Sequence, residues 1–338
     1  MKGRITMAIK APLLYAGYQN YNKSSAEVMF NYRDQDITAF SNATEFVLTG
    51  GNFQNYFLPD GNADGYYLQV YVAKVAELAN RVFNLTGKKV WIGTPSIMQG
   101  FPDSNCDYLG TIMTYFIDNV IAAMGTANFA SRVNGIYMNK EMIDAPLPAT
   151  YMNNKQYAMF NKVSTYVHNK GKKMLWMPFY DYTDSVENIG KIVHRSNLFD
   201  YVLIQPTYYF RASNNTQNCT VLRKSVAAQK LYYKDASTQV IQNSQITHTS
   251  TKIGVTMEID RYYCRTGNRP AVGTAYDAAT QAELIARNNT YASTFNSTTT
   301  SGYSKATTDF GYYCEHRTGT GADAEYTSLT GVVQSFFS

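Results

Sequence analysis

Two glutamates stand where apolar, strand-length runs give way to polar and aromatic residues: Glu141 closes NGIYMNKE, and Glu258 closes IGVTME. Carboxyl groups at the ends of two buried strands are the equipment of glycoside hydrolysis, one protonating the leaving oxygen while the other attacks the anomeric carbon or activates water. Each has a competitor. Asp260, two residues beyond Glu258, shares its strand face and could take its place. Glu141 could instead sit at a helix start, where acidic side chains are favoured. Lys140, beside it, reads as an exposed lysine, although its charge could lower the pKa of a nearby carboxylate.

The other apolar runs end in the same kind of residue. PFYDY carries Tyr180, Asp181 and Tyr182, QPTYYF carries Gln205, Tyr208 and Tyr209, and DFGYYCEHR carries Tyr312, Tyr313, Glu315 and His316. Sugar rings need flat aromatic faces and polar groups to meet their hydroxyls. Asn139, Tyr180, Asp181, Gln205, Tyr208, Tyr209, Asp260 and Tyr312 are therefore the expected substrate-binding residues, whereas Trp176 lies inside a run and reads as core. His316 has no acidic or histidine partner at ligand spacing, so no metal site is expected, nor any organic cofactor. A serine hydrolase is equally unsupported, because no Gly-x-Ser-x-Gly elbow occurs.

These positions need a scaffold. Strand candidates run over residues 11–15, 45–49, 90–94, 135–139, 173–177, 201–205, 252–257 and 305–310, and amphipathic helical stretches separate most of them. The clearest helix covers 107–124, where Leu109, Ile112, Met113, Phe116, Ile117, Val120, Ile121 and Met124 recur at three- and four-residue steps before Gly125. Alternation of this kind implies parallel strands with helical crossovers, and eight such units close into a (β/α)8 TIM barrel whose active site lies at the strands' C-terminal ends. The 338 residues are read as one such domain, 1–338. An open doubly wound sheet is the runner-up, but no glycine-rich phosphate loop follows an early strand.

Composition narrows the class. A net charge of +5 with scattered Lys and Arg gives no footprint for nucleic acid, and no apolar stretch is long enough to span a bilayer. Abundant Tyr, Asn, Ser and Thr with 16% charged residues suits an extracellular, sugar-handling protein whose signal peptide is absent from this sequence. Seven glycosylation sequons, at Asn22, Asn42, Asn84, Asn214, Asn218, Asn288 and Asn296, are what chance mostly provides in so Asn- and Thr-rich a chain. Cys106, Cys219, Cys264 and Cys314 are read as loop residues on one rim; Cys264 to Cys314 is the first candidate disulfide, and free thiols are the alternative.

GIYMNKEMI, MLWMPFYDY, FDYVLIQPTYYF and IGVTMEID, in that order and spacing, resemble a bacterial family of uncharacterised barrel domains that is itself similar to retaining (β/α)8 glycoside hydrolases. The resemblance spans about residues 90–265. It implies a carbohydrate substrate, an acid/base role for Glu141 and a nucleophile role for Glu258. Lys140 interrupts the Asn-Glu pair usual after the fourth strand in such enzymes. A non-catalytic carbohydrate-binding barrel and a scaffold that only supports surface loops are the alternatives.

Overall fold

The computed structural model describes residues 7–19, 28–29, 32–50, 65–97, 105–141, 143, 154–180, 184–195, 197–210, 216–231, 250–265, 267–269, 274–298, 300–314 and 323–338. Eight parallel strands close a barrel: β1 (Lys10–Ala16), β4 (Phe46–Gly50), β5 (Val90–Gly93), β6 (Val133–Met138), β7 (Lys173–Trp176), β8 (Tyr201–Ile204), β9 (Lys252–Ile259) and β12 (Phe310–Cys314). Pairing runs around the ring in chain order, and β12 meets β1 to close it. Two short antiparallel ribbons, β2 (Tyr18–Gln19) with β3 (Val28–Met29) and β10 (Gly267–Arg269) with β11 (Thr274–Tyr276), stand outside the ring.

Side chains alternate across the barrel wall. Ala11, Leu13, Val47, Trp91, Tyr137, Leu175 and Leu203 fill the interior, while Leu14, Leu48, Ile92, Met138, Trp176, Val202 and Met257 belong to the outer layer under the helices. Bulky interior residues need small neighbours. A Cβ on Gly135 would collide with the Trp91 ring and the Lys173 carbonyl, so glycine on β6 is what admits the indole. At the floor, the Trp91 indole N–H donates to Glu45 Oε2 at 2.5 Å, and the ammonium groups of Lys173 and Lys252 lie 5.2 and 5.7 Å from the centre of the Tyr201 ring.

The helix expected over 107–124 forms as α3 (Cys106–Met124), and the helical stretches expected between strands form as α2 (Gly65–Thr86), α5 (Lys155–Asn169), α6 (Asp184–Arg195), α7 (Thr216–Ala228) and α8 (Ala278–Asn296). Three others, α1 (Asp34–Thr38), α4 (Thr126–Arg132) and α9 (Asp323–Phe337), were not anticipated. Gly125, at φ +79°, ends α3 as expected and also starts α4.

One strand is displaced from its expected place. Lys305–Thr307 is a 3-10 turn, because the hydroxyls of Thr307 and Thr308 donate back to the Ser304 carbonyl and close a local turn where β-prone threonines suggested a strand. Strand eight therefore begins at Phe310. The cysteine expectation is also corrected. No disulfide joins the four cysteines; Cys106 begins α3, Cys219 lies within α7 and Cys314 ends β12, so three of them belong to regular elements rather than rim loops.

Candidate active site

Alternation along β6 and the residues after it brings Tyr137, Asn139 and Glu141 to the same side, with Lys140 between them. Asn139 is buried: its amide donates to Thr49 Oγ1 at 3.0 Å, its N–H donates to Thr94 Oγ1 at 3.0 Å, and its carbonyl accepts from Ile97 N–H at 3.1 Å. It joins the ends of β4, β5 and β6. Lys140 is not the exposed residue the sequence suggested. It is 3% exposed, packed in the outward position, and its carbonyl accepts the Trp176 indole N–H at 2.7 Å.

Glu141 is solvent-accessible at the mouth. Its backbone oxygen accepts from Phe179 N–H at 2.8 Å, which continues the β6–β7 pairing, and its Oε1 accepts from the Gln205 side-chain amide at 3.2 Å. Water reaches the carboxyl, but protein atoms surround it on most sides. That desolvation pushes its pKa above the ordinary carboxylate value, against the opposing pull of the Gln205 hydrogen bond. Gln205 is itself fixed by a 2.7 Å bond to the Met177 carbonyl. Residues 142 and 144–153, which follow it, lie outside the described residues, and α5 begins at Lys155.

The second carboxylate and its competitor are separated by their partners. Glu258 is 3% exposed, and its Oε2 accepts from the Tyr291 hydroxyl of α8 at 2.8 Å; the same hydroxyl accepts the Tyr209 backbone N–H at 2.9 Å. Asp260 is 1% exposed and caps the 3-10 turn Arg261–Tyr263, its Oδ1 accepting from Tyr262 N–H and from the Tyr209 hydroxyl, each at 3.0 Å. The expected substrate-binding role for Asp260 gives way to a capping role, because it is 1% exposed and its Oδ1 is given to the turn that ends β9.

The aromatic positions divide by strand face. Tyr180, Tyr209 and Tyr312 are fully buried in the outer layer: Tyr312 packs on Phe336 and Phe337 and meets the Asn288 amide at 2.8 Å. They are corrected from cleft residues to core residues. Tyr208 stays half-buried and lies edge-on to Tyr291, and Gln205 reaches Glu141 as described. Asp181 lies outside the described residues, as do Tyr182, Glu315 and His316.

The inward neighbour of Tyr312 is the residue the sequence reading passed over. Tyr313 is in register with Glu258 and with Leu13 of β1, and its ring lies edge-to-face with Tyr15 at 5.9 Å and with Phe210 at 6.0 Å. All three rings are half-buried. Tyr15 has a pKa raised well above its usual value, by burial first, then by Tyr313, Tyr32 and the charge of Glu141. The mouth thus runs from Glu141 past Tyr15 and Tyr313 to Glu258. Strand parity could have found Tyr313, since Gly311 occupies the inward position two residues before it; the contribution of Tyr291 from a distant helix had no sequence signal.

Among the described residues no group of His, Cys, Asp and Glu could hold a metal ion. No helix among them is long and apolar enough to cross a membrane.

Comparison with known proteins bears on the fold. A glycoside hydrolase family 5 enzyme from Prevotella bryantii B14 matches over 97% of this chain and 96% of its own, with a TM-score of 0.52 and 8% identity. An endo-β-mannanase/endo-β-glucanase from Prevotella bryantii matches over 97% of this chain but 48% of its own, with a TM-score of 0.52 and 7% identity. No curated protein matches the sequence. At such identities the likeness concerns architecture alone. Over residues 96–261, a stretch that holds both Glu141 and Glu258, the chain matches the family described as a domain of unknown function (DUF4855), carried on a (β/α)8 barrel similar to those of glycoside hydrolases.

Proposed function

We propose that the protein is a secreted glycoside hydrolase, with residues 1–338 acting as one barrel domain on a polysaccharide or oligosaccharide. The observation that carries this reading is the setting of Glu141: an accessible carboxyl at the C-terminal end of the fourth strand, held by Gln205 and with its pKa raised by the surrounding protein. A general acid must be protonated when substrate binds, and a raised pKa shifts Glu141 toward that form. Glu141 donates a proton to the leaving oxygen. Glu258, oriented by the Tyr291 hydroxyl, attacks the anomeric carbon as carboxylate; Glu141, once it has given up its proton, activates the water that frees the glycosyl-enzyme. No metal or organic cofactor enters this scheme. The half-buried rings of Tyr15, Tyr313, Phe210 and Tyr208 offer faces for sugar stacking, while Asn139 and Gln205 brace the acid side. An architectural neighbour at 6% identity and TM-score 0.51, covering 98% of this chain and 96% of its own, is described in complex with a xyloglucan tetradecasaccharide, which favours a carbohydrate ligand here.

Hydrolysis of a polysaccharide panel by Glu141→Gln and Glu258→Gln proteins tests the assignment. Each loses turnover by about 10²-fold or more while folding is kept; a fully active Glu258→Gln protein overturns the role of Glu258. The low exposure of Glu258 favours one second reading, a carbohydrate-binding barrel without catalysis. In that case the wild-type protein binds glycans and hydrolyses none.

A further inference from the structure

Lysines are scattered along the sequence, yet the barrel gathers many of them at one end. Lys10 opens β1, Lys88 and Lys89 precede β5, Lys172 and Lys173 lead into β7, and Lys252 opens β9. Lys305 starts the turn before β12, and Lys230 follows α7. In a barrel of parallel strands every one of these places lies at the strands' N-terminal ends, opposite the mouth.

Part of this set has a structural task. Helix C-termini carry partial negative charge, and Lys88 donates to the Phe40 and Ser41 carbonyls, Lys172 to those of Ala130 and Val133, and Lys10 to that of Phe337. Lys89, Lys173, Lys230 and Lys252 are exposed, and none of them donates to a carbonyl among the described residues. Like charges are also crowded here. Burial first, then the charge of Lys89, lowers the pKa of Lys172, and burial followed by Lys10 does the same to Lys305. The described carboxyls at this end offset little of that charge: Asp118 and Asp200 are paired with Lys170 and His168, and burial pushes Glu45 and Asp309 toward their neutral forms. Packing does not require such repulsion, whereas an anionic partner does.

We infer that the floor of the barrel is a docking face for an anionic phospholipid bilayer, with Lys89, Lys173, Lys230 and Lys252 as its charges and Met7 as its apolar contact. Cations set around the ring of strand starts suit a flat surface; a single polyanionic chain is held along a line or groove of charge. They are ammonium groups, which act as point charges toward phosphate, rather than the guanidinium forks that read bases. Met7, three residues before β1 and 77% exposed, sets a long apolar side chain at the same end, where it enters the headgroup layer. The barrel then stands on the membrane with its mouth facing away. This inference is independent of the chemistry assigned to the mouth.

Co-sedimentation of the full chain with lipid vesicles at low ionic strength tests this. The protein pellets with vesicles of phosphatidylcholine and phosphatidylglycerol in equal parts and stays in solution with phosphatidylcholine alone. Salt at about 1 M, which screens charges within about 3 Å, releases it. Each lysine near an anionic surface is worth about fivefold in affinity, so Lys89→Gln and Lys252→Gln together weaken binding by about 20- to 30-fold. Met7→Ser weakens it in the same direction, and Lys162→Gln, on the barrel wall, leaves it unchanged. A circular dichroism spectrum matching the wild type separates lost binding from lost fold. Equal pelleting with both kinds of vesicle, pelleting with neither, or wild-type binding by the doubly substituted protein overturns the inference. Tighter binding, charge for charge, to duplex DNA or inorganic polyphosphate also overturns it, since the face then belongs to a polymer.

Discussion

Protonation of Glu141 acts on rate and stability in opposite directions. As the acid it must carry a proton, so its raised pKa moves the alkaline limb of the kcat/KM profile upward, and Glu141→Gln removes that limb together with about 10²- to 10⁴-fold of activity. For stability the sign reverses. A carboxylate whose folded pKa lies above its unfolded one costs stability wherever it is ionised, and the cost vanishes once pH falls below the unfolded value of about 4. The Glu141→Gln protein should therefore melt at or above the wild-type temperature near neutral pH, with the difference closing in acid; a variant that melts lower at neutral pH contradicts this setting for Glu141. Tyr291→Phe tests the partner carboxylate. It deletes the hydroxyl bonded to Glu258 and to Tyr209 N–H, so denaturant titration should read a loss of about 1–3 kcal/mol.

The end of β9 decides between two carboxylates by their local hydrogen bonds. Asp260 caps a turn and holds Tyr209, so Asp260→Ala should cost about 1–2 kcal/mol in folding, whereas Glu258→Gln should cost activity first. If chemical denaturation shows the opposite order, the two roles are reversed. Period-2 and helical patterns were enough to place seven of the eight barrel strands near their observed positions and six helices. Patterning failed where side chains bond their own backbone, as at Thr307 and Thr308, and where an element is short or terminal, as in α1 and α9. The same limit applied to the site. Glu141, Gln205 and Glu258 were legible as strand ends, but a one-residue choice between Tyr312 and Tyr313 sends a ring to the core or to the mouth, and parity is certain only once the strand's start is known.

At the scale of the whole molecule, the barrel is held by packing rather than by covalent links. With no disulfide among the four cysteines, reductant should leave the melting temperature unchanged, and four thiols should titrate after denaturation. A reductant-sensitive transition would restore the disulfide. Burial pushes the thiol pKa values of Cys219 and Cys264 upward, which keeps both slow to react in the folded state. The sequon at Asn288 is likewise not a glycan site, since its amide is buried against the Tyr312 hydroxyl. An exported protein would carry its sugars elsewhere.

The double-displacement route requires Glu258 to become covalently bound to sugar. Incubation with activated 2-deoxy-2-fluoro glycosides of several sugars, followed by peptide mass mapping, measures this directly. One glycosyl adduct is expected, on the peptide that contains Glu258 and absent from the Glu258→Gln protein. An adduct on another carboxylate, or no adduct on an enzyme that turns over its glycan, would contradict it.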